Sequence, residues 1–169
     1  MCGILGQIAI KGTLKINKKK FIKCLSYLNH RGPDDQGYKV YPDAIFGHKR
    51  LSIMDLSKKG HQPMYSSDGN YVIIFNGEIY NFKELKKDLI EKNYTFISKT
   101  DTEVLLYGLI DQGPDFIKKC NGMFAFAFYD VKKKKSYIFR DRIGIKPLFY
   151  SINKNNITFS SNVKSIHKY

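Results

Sequence analysis

Residues 123–129 read Met123-Phe124-Ala125-Phe126-Ala127-Phe128-Tyr129, with large and small apolar side chains in alternation. A period of two puts the phenylalanines on one face of a strand and the alanines on the other. With both faces apolar, the stretch predicts an interior strand between two packed layers. Further strand-like runs lie at 3–10, 44–48, 71–76, 136–141 and 157–161, and turn chemistry at Ser67-Asp68-Gly69-Asn70 and Lys132 to Lys135 joins neighbours as hairpins. Between the strands, three helical patterns stand out. Asn17 caps a helix carrying Phe21, Ile22, Leu25 and Leu28. Asn81, with Glu84 as its capping-box partner, opens one carrying Phe82, Leu85 and Leu89. Thr100 or Asp101, with Glu103, opens a third that runs to a C-cap at Gly113. The last two are expected to be amphipathic, each packing one face on a sheet. Strand clusters before and after the helices predict an α+β domain with antiparallel sheets covered by helices.

The chain has 169 residues and 43% hydrophobic content, enough for one domain, 1–169, without an internal boundary. No apolar run approaches a membrane span and no secretory signal opens the chain, so a cytosolic location and no membrane partner are expected. Cys2, Cys24 and Cys120 form no C-x-x-C pair, and His30, His48, His61 and His167 share no ligand spacing, so neither disulfide nor metal is expected. Cys24 and Cys120 read as core residues. The net charge of +14 comes mainly from lysine, since Arg31, Arg50, Arg140 and Arg142 are the only arginines. Without arginine forks on a reading element, nucleic acid is not an expected partner.

Met1-Cys2-Gly3-Ile4 carries the first chemical signal. Removal of Met1, which a small second residue permits, would leave a thiol beside its own free α-amine, nucleophile and base in one residue. Arg50 ends a short apolar run and offers a fork for a carboxylate, although a surface salt bridge would use the same residue. Asn76-Gly77, after the strand Val72-Ile73-Ile74 and before a helix, offers a side-chain amide and a backbone N–H as an oxyanion hole. A plain Asn-Gly turn is the competing reading. Glu78 and Asp101 add anions for an ammonium, although Asp101 would equally cap its helix.

These segments, together with His30-Arg31-Gly32-Pro33-Asp34, Arg50-Leu51-Ser52-Ile53, Asn76-Gly77-Glu78-Ile79-Tyr80-Asn81, Asp101-Thr102-Glu103, Gly122-Met123-Phe124-Ala125-Phe126 and Arg140-Asp141-Arg142-Ile143-Gly144-Ile145-Lys146-Pro147-Leu148, resemble in order the glutaminase domain of class II glutamine amidotransferases. The branch most resembled is glutamine-hydrolysing asparagine synthetase. The resemblance implies a four-layer αββα sandwich of the N-terminal nucleophile hydrolase type. It further implies Cys2 as nucleophile, Asn76 and the Gly77 N–H as oxyanion donors, and Arg50 on the glutamine α-carboxylate. Asp101 and Glu78 would hold the α-ammonium, and main-chain groups around Ile53 would complete the pocket. Motifs 30–34 and 140–141 are expected to be buried ion-pair scaffolding, and His48 and His61 to serve packing or a loop. No cofactor is expected in this domain. ATP and magnesium belong to a synthetase domain or partner whose pyrophosphate loop, Ser-Gly-Gly-x-Asp-Ser, does not occur here. Asn162 stands where asparagine synthetases usually carry glutamate, so a glycan or secondary-metabolite acceptor remains an alternative, as does a glutamine-binding module without catalysis. Self-association is left open.

Overall fold

The computed structural model describes all of residues 1–169. Nine strands and four helices follow one another as β1 (Gly3–Ala9), α1 (Lys18–Ser26), β2 (Asp35–Val40), β3 (Ala44–Arg50), β4 (Met64–Tyr65), β5 (Tyr71–Ile79), α2 (Phe82–Glu91), α3 (Asp101–Gln112), β6 (Gly122–Asp130), β7 (Lys135–Arg140), β8 (Phe149–Ile152), β9 (Asn156–Ser160) and α4 (Val163–Lys168). They build two antiparallel sheets, ordered β2-β3-β1-β9-β8 and β4-β5-β6-β7.

Side-chain alternation sorts the strand residues into three apolar layers. Phe124, Phe126 and Phe128 of β6 pack with Val104, Leu105, Leu106 and Leu109 of α3. Ala125, Ala127 and Tyr129, on the other face of β6, meet Ile4, Ala44, Phe46 and Phe159 of the five-stranded sheet. A third cluster, Leu5 and Ile45 with Phe21, Cys24, Leu25 and Leu28, seats α1 on that sheet's outer face. Helix, sheet, sheet, helix is therefore the layer order, the α+β sandwich expected from the sequence. Cys24 and Cys120 are buried free thiols.

Local signals held where only neighbouring residues decide. The Asn17 side chain accepts the Lys20 N–H at 3.0 Å, Thr100 accepts from Glu103 at 3.3 Å, and Gly113 ends α3 with φ of 66°. Four expectations change. The Asn81 side chain does not cap α2; its amide bonds the Lys119 carbonyl and the Asn121 N–H, tying the helix start to the segment before β6. Helix α3 is not amphipathic, being buried from Asp101 through Leu109, because β5 and β6 cover one side and α2 the other. The edge strands β2, β4 and β8 were not legible, being short or largely exposed and so without an apolar period. Finally, β5 does not stop at Asn76 but continues to Ile79.

Candidate active site

One pocket of about 250 Å³ opens where β1, β3, β5 and the start of α3 end together, and it is lined by all seven residues singled out from the sequence: Cys2, Arg50, Ile53, Asn76, Gly77, Glu78 and Asp101. The register explains the meeting. Antiparallel pairing of Gly3 with Lys49 sets Cys2 against the end of β3, next to Arg50. On β5, alternation puts Asn76 on the same inter-sheet face as Val72 and Ile74, and on β1 the same rule points Cys2 to the face of Ile4.

Cys2 is held from both sides. The Arg31 Nε donates to its carbonyl at 2.9 Å, and the Leu51 N–H approaches its Sγ at 3.4 Å. Burial pushes the Cys2 thiol up from its ordinary range, opposed by the Leu51 N–H and the Arg50 cation. At neutral pH the sulfur is therefore a thiol, and its use as a nucleophile calls for a base.

Asn76-Gly77 is not a turn. Both residues lie inside β5, paired with Ala125 and Phe124 of β6. The Phe124 N–H and C=O both turn to Asp141 on the β7 side, so Gly77 and Phe124 face each other without exchanging hydrogen bonds. The backbone groups of Phe75, Gly77 and Ile79 consequently point away from β6. Along that edge the Gln62 Oε1 takes the Phe75 N–H at 2.6 Å and the Asp101 Oδ2 takes the Ile79 N–H at 2.9 Å. Between them, the Gly77 N–H faces the pocket. A side chain here is excluded, since a Cβ at residue 77 would sit 2.4 Å from the Met123 carbonyl oxygen and 2.7 Å from the Phe124 Cα. Beside it, the Asn76 amide nitrogen has no hydrogen-bond partner although the residue is only 1% exposed. A buried donor left unpaired costs on the order of 1–3 kcal/mol, so this amide is an acceptor site in waiting.

Arg50 is buried. Its guanidinium donates to the Ser57 carbonyl at 2.9 Å and to the Asp55 carbonyl, and no carboxylate lies within ion-pair distance. The surface salt bridge is thereby excluded, and a positive charge remains directed at the pocket. Opposite in charge, Asp101 at the start of α3 is 4% exposed; burial, with the nearby Glu78, pushes its carboxyl up to about 6 against the pull of the Ile79 N–H. Glu78 stands exposed at the mouth, and Ile53 is 73% exposed on the rim.

The flanking motifs are scaffolding, but not through ion pairs. The Asp34 carboxylate takes the Ser52 N–H at 2.7 Å, and Asp141 collects the N–H groups of Phe124, Ile145 and Lys146, which keeps its carboxyl below the usual range despite burial. Arg140 donates to the carbonyls of Gly144 and Lys146. His48 is fully buried, its Nε2 3.0 Å from the Phe75 carbonyl oxygen, and is pushed down to about 4 by that burial, so it packs as a neutral ring. His61 pairs with Asp35 at 2.7 Å in a loop.

Leu51, Gly60, Gln62 and Lys146 are among the pocket residues that escaped the sequence reading. Gly60 and Gln62 fall in a loop where no periodic pattern distinguishes them. Leu51 and Lys146 do lie within quoted motifs, but nothing local shows that one offers its N–H to Cys2 or that the other reaches the first residues of the chain.

A family model described as a glutamine amidotransferase domain matches residues 1–169. The chain belongs to this family. The amidotransferase domain is 40% identical over 169 residues to asparagine synthetase [glutamine-hydrolyzing] 3 of Bacillus subtilis, covering 98% of this chain and 27% of that protein. It is 38% identical to asparagine synthetase B [glutamine-hydrolyzing] of Escherichia coli, covering 92% of this chain and 28% of that protein. The domain thus spans less than a third of the length of these two relatives, and it corresponds to their glutaminase half. The glutamine phosphoribosylpyrophosphate amidotransferase of B. subtilis superposes with a TM-score of 0.81 over 98% of this chain and 43% of its own, at 20% identity. That likeness shows the N-terminal nucleophile hydrolase fold. No helix of the chain is long and apolar enough to cross a membrane.

Proposed function

We propose that this amidotransferase domain hydrolyses L-glutamine to glutamate and ammonia through a thioester on Cys2. The observation that carries the reading is the buried, unpaired Asn76 amide beside the pocket-facing Gly77 N–H, in the pocket that also holds the Cys2 thiol. After loss of Met1, the α-amine takes the thiol proton as the sulfur attacks the side-chain carboxamide. Asn76 and Gly77 donate to the oxyanion that forms. Collapse of that intermediate breaks the C–N bond, the α-ammonium returns its proton to the leaving nitrogen, and ammonia departs. Water then cleaves the thioester, giving glutamate and the free thiol.

Arg50 holds the substrate α-carboxylate, and Asp101 with Glu78 holds the α-ammonium. The ammonia serves an ATP-dependent synthetase domain or subunit, as the names of the relatives suggest. Release of glutamate from glutamine by purified protein whose intact mass shows loss of Met1 is the direct test. Absence of release from correctly processed protein would overturn the reading.

Two consequences concern the clamp. A Cβ at Gly60 would stand 2.1 Å from the Arg50 Nη2, so Gly60→Ala displaces the guanidinium. Steady-state kinetics should show KM for glutamine raised roughly 10- to 100-fold with a smaller change in kcat, the loss of charge-assisted hydrogen bonds to a carboxylate. The second is a pH effect. Only ionised Asp101 attracts an ammonium, and its carboxyl titrates at about 6. KM should therefore rise by up to about tenfold per unit as the pH falls below that value. The stability sign runs the other way: because the folded carboxyl is raised above its unfolded value, its contribution is full at low pH and is lost as the pH rises through about 6. Seated ammonium offsets that loss, so the gain in thermal midpoint on adding glutamine should be larger at pH 7.5 than at pH 5.

A further inference from the structure

Lys146 is the one pocket cation that the reaction above does not use. It is only 6% exposed, yet no carboxylate lies within ion-pair distance of its ammonium, whose recorded partner is the Met1 thioether sulfur at 3.5 Å. A thioether is a weak acceptor, so this contact does not account for burying a charge. The backbone, by contrast, is fixed firmly. The Asp141 Oδ2 takes the Lys146 N–H at 2.9 Å, the Arg140 Nε donates to the Lys146 carbonyl at 2.8 Å, and the intervening Gly144 turns with φ of 70°. The loop from β7 to β8 thus delivers an ammonium against the side chain of the residue that precedes Cys2.

We infer that Lys146 is a positioning residue for the reaction: with Met1 gone, its ammonium faces the new N-terminus and keeps the Cys2 α-amine unprotonated, ready to take the thiol proton. This rests on the reading of Cys2 as an N-terminal nucleophile. The pocket otherwise works against a free amine. Asp101 and Glu78 both line it and stabilise an ammonium wherever one forms. Arg50 stands beside Cys2 on the neighbouring strand with its guanidinium tied to the Ser57 and Asp55 carbonyls, and Arg31 approaches Cys2 through its carbonyl, with the Nη2 4.0 Å from the Met1 sulfur. Lys146 and Arg31 are therefore the cations on the side that Met1 vacates, and Lys146 is the buried one. A like charge close to an amine lowers its proton affinity, and the shift expected from Lys146 is about one pH unit.

The test uses protein produced behind a removable leader, so that Cys2 is the first residue, with 13C-labelled cysteine and the thiol S-methylated. The α-amine titration is followed by NMR in the unsubstituted protein, in Lys146→Met, which keeps the apolar stem, and in Lys146→Arg, which keeps the charge. The midpoint should rise by about one pH unit in Lys146→Met and return in Lys146→Arg. With the thiol free, the acidic limb of the kcat/KM profile for glutamate release should move in parallel, while the thermal midpoint stays. Equal titration midpoints in all three proteins would overturn the inference. Failure of the unsubstituted protein to hydrolyse glutamine would remove the nucleophile reading instead, and the amine titration would still decide the role of Lys146.

Discussion

Cys2→Ala, in protein with Met1 removed, is expected to lower glutamate release by more than about 10⁴-fold, the size of loss that follows removal of a nucleophile whose covalent intermediate carries the reaction. The fold should not suffer. The Cys2 sulfur has the Leu51 backbone as its hydrogen-bond partner, and the strand that follows is secured by pairing with β3 and β9. Glutamine should still raise the thermal midpoint of the variant, because Arg50 and Asp101 remain in place. A second arm separates thiol from amine. Protein that keeps Cys2 but retains Met1 has an amide where the base should be, and its thiol is pushed up by burial. That form should be nearly as inactive as Cys2→Ala. Equal activity with and without Met1 would mean that another group takes the thiol proton, and His48, buried and neutral against the Phe75 carbonyl, is not placed to do so.

Asn76→Ala should cost about 10²- to 10³-fold in kcat with little change in KM, since an oxyanion donor acts on the transition state and not on bound glutamine. The structure adds a second expectation that separates this from general damage. The Asn76 amide nitrogen makes no hydrogen bond within the protein, so its deletion removes a buried, unsatisfied donor. The thermal midpoint should therefore hold or rise while turnover collapses. Such opposed movement of stability and activity is what a donor kept for a transition state predicts. If kcat and stability fell together, Asn76 would be a packing residue and the oxyanion would have to rest on Gly77 alone.

Much of the fold was legible because its causes are local. The Phe-Ala alternation of 123–129 does put two apolar layers on either side of β6, and Asn17, Thr100 and Gly113 end helices with atoms within a few residues of one another. The turns at 67–70 and 132–135 fall between β4 and β5 and between β6 and β7, with Gly69 and Lys134 at positive φ. Where a distant segment competes for the same atoms, local signals failed. Asn81 carries a capping pattern, but its amide is taken by Lys119 and Asn121. The third helix has charged residues enough for an exposed face, but Glu103 turns inward to the N–H groups of Ile97 and Ser98.

By itself, then, the sequence determined the layered α+β architecture and the chemical kinds of residue at the site, since alternation, capping and side-chain identity are properties of short segments. Only the tertiary structure decided what Asn76-Gly77 is. As an isolated pair it is a turn, but with β6 pressed against residue 77 it becomes part of a strand in which the Gly77 N–H faces the pocket, while the Asn76 amide stays unpaired beside it. Only the structure, too, brought Lys146 to residue 1 and Leu51 to Cys2. Contacts between residues 145 and 49 positions apart arise from sheet register and loop closure, and no local period of the chain records them.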